Sequence, residues 1–448
     1  MSSGSAWSWS RMPLPFALRV SAPPRPALRD RGATAVEHPH PLVPTRAGIA
    51  RSPVSDSSHP VETAEHRSHL RIALNLLTED PRQPSGAHWC WTRIVPEMAN
   101  RLLPGEELHL MLSPSTRHYF PDCGEAVHYL TFPWSNEHRV LRTASEHLVT
   151  PFRLPLRHID LLSTAIAPLV NPTRILVIHM KTMHAFTTPE SLGIAARTYR
   201  RLNYQRSVRI ADAVVVNSNS LRAEIDQYLE VDPQKVSLIY EAVDHDIFTP
   251  GNRDAARMHL ASLGISRPFV LFVSSLWRYK NCDGLLRAWK MIRHELEGRQ
   301  LVIVGAERDQ RYAAELHELT IELDIADDVV FVGGVPNEET VHFYRAADLL
   351  VYPSFNETFG LPILEAMACA CPVVTSNISS MPEIAGGAAI LADPHDPSSI
   401  ARSILDGTGF AAPRLRTEGL RRAQEFTWGA VAQATLDAYR QAAERRRR

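Results

Sequence analysis

Ser354-Phe355-Asn356-Glu357-Thr358-Phe359-Gly360-Leu361-Pro362-Ile363-Leu364-Glu365-Ala366-Met367-Ala368 is the stretch on which the fold of this chain turns. An apolar run, Leu349 to Tyr352, leads into it and reads as a buried strand. Gly360 and Pro362 punctuate it, and Leu364 to Ala368 reads as a helix beginning near Pro362, because proline is favoured in a first helical turn. The loop therefore sits at the carboxyl end of a strand, above a helix N-terminus. Open α/β sheets bind ligands at that edge, and bare helix N–H groups attract phosphate. Glu357 and Glu365 stand eight residues apart around this turn. A carboxylate such as Glu365 repels phosphate but accepts well from a pair of sugar hydroxyls.

Strand-like runs lie on both sides of this stretch. In the first half they are Leu70–Leu77, Leu108–Leu112, Ile175–His179, Ala213–Val216 and Val236–Tyr240. Helix-like stretches lie between them, notably Ala87–Leu102 and Ser191–Arg209. After a polar connector at 246–267 a second series follows: Phe269–Val273, Leu301–Val304, Val329–Val332, Leu349–Tyr352 and Pro372–Thr375. Helices are expected to start near Asp283, Asp309 and Glu338. Strands alternating with helices predict parallel sheets covered on both faces, here two doubly wound α/β domains in tandem. The expected divisions are a Pro-, Ser- and Arg-rich segment at 1–68, a first domain at 69–245, a second at 246–426, and a final helix at 427–448. Its four terminal arginines are expected to fray.

Composition narrows the function classes. At 448 residues with a formal charge of −1, the chain can build two or three cores and gives no case for nucleic-acid binding. Its apolar runs fall short of the roughly 18 residues a spanning helix needs. Five scattered cysteines fit reduced thiols in a reducing, cytoplasmic setting. Twenty histidines include no His-Glu-x-x-His, so no metal site is expected. Residues 1–68 hold ten of the 33 prolines without apolar periodicity and read as unfolded. That start resembles a transit peptide, and a misassigned start codon or a disordered tail fits it as well.

The second constellation is Ser274-Ser275-Leu276-Trp277-Arg278-Tyr279-Lys280-Asn281, directly after the strand Phe269–Val273. Only four of 48 basic residues are lysine, and Lys280 is one of them. Two cations two residues apart at a strand's carboxyl end suit a diphosphate. A diphosphate leaving group gains charge in the transition state, so fixed cations there lower the barrier.

Ser-Leu-Trp-Arg-Tyr-Lys-Asn, Glu-Thr-Phe-Gly-Leu-Pro-Ile-Leu-Glu-Ala-Met-Ala and Met381-Pro382-Glu383-Ile384-Ala385-Gly386-Gly387-Ala388 together resemble the retaining GT-B glycosyltransferases of group 1 (family 4), bacterial mannosyl- and glucosyltransferases among them. The likeness is strong over about 205–440 and looser over 70–204. It implies two Rossmann-like domains facing across a cleft, and transfer of a hexose, mannose or glucose, from a nucleotide-diphosphate sugar to an acceptor hydroxyl. The acceptor would be a glycan or a lipid-linked molecule in glycan, polysaccharide or glycolipid biosynthesis. No cofactor or metal is implied. By the same resemblance Glu357 contacts the donor sugar near the reacting centre, Glu365 holds the donor ribose, and Arg278 with Lys280 holds the diphosphate. Phe359, Gly360 and Leu361 offer backbone N–H groups, and Val335 contacts the base. Gly86 corresponds to the family's glycine loop, although Pro84-Ser85-Gly86-Ala87 has one glycine where members often have more. His179 resembles the histidine that faces the donor sugar; Met180-Lys181 follow it where many members have Asp. Tyr240-Glu241-Ala242-Val243-Asp244 reads as the interdomain hinge. Alternatives are another GT-B enzyme, such as a nucleotide-sugar epimerase, or a non-catalytic nucleotide-sugar-binding protein. Arg197, Arg200, Arg201, Arg206 and Arg209 give one helix a basic side: a solvated face, or contact with an anionic acceptor or the inner membrane surface.

Overall fold

Among the described residues thirteen short strands, rich in Val, Ile and Leu and mostly buried along their whole length, show continuous apolar runs rather than alternation, the mark of sheets covered on both faces. The structure, a computed structural model, describes residues 69–78, 86–296 and 298–447, with the backbone alone at 86–89 and 136. Residues 1–68 and most of the loop preceding Gly86 lie outside the described residues.

The first sheet contains β1 (Arg71–Asn75), β2 (Glu107–Leu112), β3 (Val127–Thr131), β4 (Leu161–Thr164), β5 (Ile175–His179), β6 (Ala213–Val216) and β7 (Val236–Leu238). Their order is β3-β2-β1-β4-β5-β6-β7, all parallel. The second contains β8 (Phe269–Val273), β9 (Gln300–Val304), β10 (Val329–Gly333), β11 (Leu349–Tyr352), β12 (Val373–Ser376) and β13 (Ile390–Ala392). Their order is β10-β9-β8-β11-β12-β13, again all parallel. The chain runs outward from β8 to β10, then returns to β11 and runs the other way. The strand order thus reverses between β8 and β11, where the loops leaving the two strands part and open a crevice.

Three strands were not legible in the sequence. β3 is a half-exposed edge strand, β4 spans four residues with two hydroxyl side chains, and β13 spans three. The 246–267 connector is also more ordered than its polarity suggests. Helix Arg253–Ala261 lies within it, with Ala256 and Leu260 buried. Asn252 caps it, its Oδ1 accepting from the N–H of Asp254 (2.9 Å) and Ala255 (3.0 Å).

The final helix, Trp428–Arg447, returns to the first sheet, packing on helix Gly86–Ala99 and on β5. Ala432, Leu436, Tyr439 and Ala443 enter that sheet's core. It runs on through three of the arginines expected to fray. A buried ion pair secures it: Arg440 Nε and Nη2 lie 2.9 and 2.8 Å from the two carboxylate oxygens of Glu106, whose side chain has no solvent exposure. Removing one member of such a pair leaves an uncompensated buried charge. Arg440→Ala is therefore expected to cost about 3–5 kcal/mol, read as a lower unfolding midpoint in urea; a shift under 1 kcal/mol would contradict it.

Candidate active site

Lys280 follows β8 and Glu357 follows β11, so the topology brings them together at the reversal point. Lys280 Nζ lies 2.5 Å from Glu357 Oε1 and 3.1 Å from the hydroxyl of Tyr352, the last residue of β11. Tyr352 in turn donates to Glu357 Oε1 at 2.6 Å. Both charged side chains are only 11% exposed. Burial by itself would push the Lys280 ammonium down, but the Glu357 carboxylate outweighs it and holds the pKa above the ordinary lysine range. An ammonium has three donors, and two are engaged here. The third is available to an anion entering the crevice.

Local sequence explains why Lys280 is held so well. Asn281 takes a left-handed conformation (φ 58°), and its buried Nδ2 donates to the carbonyls of Pro353 (3.0 Å) and Pro394 (2.8 Å). The Phe355 N–H donates to the Tyr279 carbonyl at 2.8 Å, tying the two loops together. The loop after β9 presses on them as well. A Cβ on Gly305 would lie 1.7 Å from the Ser274 carbonyl oxygen, so only glycine fits there.

Arg278 does not join Lys280. Residues 278–280 form one turn of 3₁₀ helix, in which side chains two positions apart point about 120° apart. Lys280 turns inward, while Arg278 turns to helix Gln310–Glu322. There its Nη2 donates to Glu315 Oε2 at 2.5 Å and its guanidinium lies 4.8 Å from the Tyr312 ring centre. The expected cationic pair is thus one buried lysine and one half-exposed, ion-paired arginine.

Gly360 precedes helix Leu361–Ala368 with φ +99°, a backbone that side chains rarely tolerate. Pro362 in its first turn has no N–H, and the Ile363 N–H bonds the Gly360 carbonyl at 3.0 Å, so Leu361 is the first-turn residue whose N–H has no intrahelical acceptor. The turn after β12 pins the loop. Ser379 Oγ accepts from the Glu357 N–H at 3.1 Å and lies 2.8 Å from the Glu357 carbonyl, while Ser380 Oγ donates to the Phe359 carbonyl at 2.9 Å. Glu365, half-buried, accepts from the Tyr344 hydroxyl at 2.7 Å. Burial pushes its carboxyl up to about 7, opposed by that hydrogen bond. Val335 follows β10 at the same edge, partly buried against the core below it.

His179 is not beside these groups. Its Nε2 lies 2.9 Å from the Tyr439 hydroxyl, which donates to Ser163 at 2.7 Å, and its ring meets Trp91 edge-on. Burial, helped by Lys181, pushes its pKa down to about 3, so it is neutral. It joins β5 to the final helix. Lys181 in turn pairs with Glu241 at 2.7 Å, which also accepts from Asn217 Nδ2 at 3.2 Å. The histidine that approaches Glu357 from the first sheet's side is His184, on helix His184–Thr187. Its ring centre lies 5.1 Å from that of Tyr279, and the charges of Glu357 and Lys280 both act on it. Burial pushes it down to about 4, so it too is neutral. His184 and Tyr352 escaped the sequence reading: one lies five residues beyond the expected histidine, and the other reads as a strand end. Gly86 begins its helix, but the loop before it lies outside the described residues.

Among the described residues two clusters could hold a metal ion: Glu107, His109 and His128 on β2 and β3, and His259, Glu339 and His342 on helices Arg253–Ala261 and Asn337–Ala346. Neither includes a residue of the Lys280–Glu357 cluster.

The profile described as "Glycosyl transferases group 1" matches residues 261–406. The chain is 30% identical over 322 residues to a D-inositol 3-phosphate glycosyltransferase of Thermobifida fusca, covering 68% of this chain and 73% of that protein. It belongs to the group 1 glycosyltransferases. Solved structures agree on the fold. A sucrose-phosphate synthase from Thermosynechococcus elongatus superposes with a TM-score of 0.66 at 22% identity, over 83% of this chain and 98% of that one. HepE of Anabaena, solved in complex with UDP and glucose, gives 0.62 at 19% identity, over 83% and 100%. The two parallel sheets are thus the GT-B fold of a glycosyltransferase, and no described helix is long and apolar enough to cross a membrane.

Proposed function

We propose that this glycosyltransferase moves a hexose from a nucleoside-diphosphate donor to an acceptor hydroxyl with retention at the anomeric carbon. The buried Lys280–Glu357 pair at the reversal point of the second sheet carries the reading. Lys280 would direct its third donor to a β-phosphate oxygen. Glu357 would accept from the sugar hydroxyls, and the N–H groups at Phe359, Gly360 and Leu361 would meet sugar or phosphate. In the reaction the bond between the anomeric carbon and the diphosphate breaks, and the acceptor oxygen bonds to the same face of that carbon. The acceptor proton passes to the departing phosphate oxygen, so no side-chain nucleophile is needed. Lys280 stabilises the charge that grows on that oxygen. His184, being neutral, can donate or accept at the sugar without adding charge.

The acceptor would meet the first domain. Phe152 and Leu156 stand exposed there beside Arg153 and Arg157, which suits a lipid-linked acceptor at an anionic membrane face. Incubation with a panel of nucleoside-diphosphate hexoses tests the reading. Release of nucleotide with an α-linked product from an α-linked donor is expected; failure to bind or turn over any donor would sink it. An epimerase would instead interconvert the donors without an acceptor, and a non-catalytic binding protein would bind without turnover.

Glu365 makes the donor step pH-dependent. Its folded-state pKa, about 7, lies above the ordinary carboxylate value, so the proton is lost only as pH rises through 7. If the ribose hydroxyls bind the carboxylate, donor affinity rises over the same window, about tenfold from pH 6 to pH 8. Calorimetric titration across that range should show this rise, together with release of a proton on binding, and Glu365→Gln should flatten the profile. A flat wild-type profile would remove Glu365 from ribose binding.

A further inference from the structure

The Met381-Pro382-Glu383 turn contributed to the family resemblance but has no place in the donor site as described. Its carboxylate crosses to the other half of the molecule. Glu383 Oε1 accepts from Asn219 N–H (2.9 Å), Asn219 Nδ2 (2.7 Å) and the Tyr240 hydroxyl (2.8 Å). Oε2 lies 3.0 Å from the same Asn219 nitrogen and 3.4 Å from that of Ser220. Asn219 and Ser220 open helix Asn219–Tyr228, which follows β6 of the first sheet. The first turn of a helix has unpaired N–H groups and a partial positive charge, so a carboxylate is its natural complement. Here that carboxylate is supplied by the other half of the chain. Tyr240, in the crossover between the halves, adds a third side to the cup.

The same turn also reaches the donor loop. Ser379 is hydrogen-bonded to the Glu357 backbone on one side and lies 3.4 Å from Ser220 Oγ on the other. Asn356, next to Glu357, donates from Nδ2 to Glu224 of helix Asn219–Tyr228 at 3.1 Å. Contacts that hold the halves together and contacts that place the Glu357 loop therefore share one short segment, 379–383.

We propose that Glu383 is a positioning residue, a latch that holds the two halves closed and sets the Glu357 loop against the first half. Without it the halves still associate through the final helix, but the loop loses its register across the crevice. Lid and domain closures act on turnover more than on the initial capture of a ligand by one half. This inference rests on the donor-site reading of the Glu357 loop.

The test compares wild type with Glu383→Gln, Asn219→Ala and Tyr240→Phe, using the full chain and whichever nucleoside-diphosphate hexose the panel identifies. Glu383→Gln is expected to lower kcat about tenfold, the worth of one charge-assisted hydrogen bond, while the donor Kd by calorimetry moves less than about threefold. Amide exchange at Asn219 and Ser220 should speed up in Glu383→Gln. Tyr240→Phe should have little further effect on kcat once Glu383 is changed, because both act through one contact. Wild-type kcat together with unchanged exchange at Asn219 would overturn the latch. So would a fall in donor affinity as large as the fall in kcat, which marks a residue that only binds donor. A wild type that binds no nucleotide sugar overturns the donor reading instead, and the exchange comparison still decides whether Glu383 holds the halves together.

Discussion

Lys280→Met is expected to lower kcat by about 10²–10³, the range found when one preorganised charge-stabilising group is removed from an active site. The ammonium meets Glu357 at 2.5 Å and Tyr352 at 3.1 Å, and is held above the ordinary lysine pKa, so it stays charged through the working range. Arg278, the other cation of that loop, is turned away from Lys280 and paired with Glu315. The variant should also lose stability, by roughly 3–5 kcal/mol, because Glu357 keeps its buried charge without a counter-ion. These two losses separate in the double variant Lys280→Met/Glu357→Gln. Removing both charges should recover much of the stability while turnover stays low. Near-wild-type kcat in the single variant would refute the role given to Lys280. Recovery of activity in the double variant would show that the single variant had merely been misfolded.

Glu357→Gln is expected to lower kcat by about 10²-fold with a smaller change in donor KM. Glutamine has the same size and can still accept from Tyr352, but it leaves the buried Lys280 ammonium without a counter-ion. A stability loss of roughly 3–5 kcal/mol is therefore expected here too, and kcat is read on the folded fraction. The glutamine cannot hold Lys280 by charge, and it offers a sugar hydroxyl one neutral acceptor in place of a carboxylate. The losses fall where charge develops in the reaction, which is why kcat carries them. A variant with unchanged kcat and a raised KM would make Glu357 a binding residue only. Arg278→Ala supplies the contrast: with its guanidinium on Glu315 and half exposed, its effect should be small.

The strands that frame the site were legible because they are short, apolar and bounded. β5, β6, β8 and β11 match their expected limits residue for residue. The missed strands are edge or very short elements whose burial comes from neighbours, not from their own pattern. Helix Arg253–Ala261 was missed because two buried residues suffice to anchor it, and the rest of its surface is polar. Side-chain direction was harder to read than backbone. Spacing put Arg278 and Lys280 on one ligand, yet a 3₁₀ turn sends them apart, and a one-dimensional reading has no term for that rotation.

The sequence by itself determined the alternation of strand and helix, the loop–helix turn at Gly360–Pro362, and the residues whose chemistry suits a nucleotide sugar. These are local properties: periodicity, the conformational limits of glycine and proline, and the charge of a side chain. The tertiary structure decided which of those residues meet. It paired Lys280 with Glu357 across the reversal between β8 and β11, placed His184 rather than His179 beside them, joined His179 to the final helix, and brought Glu383 to a helix of the other half. Each of these contacts links positions 77 to 260 residues apart in the chain, where no sequence period reaches and only the packing of one element on another sets the distance.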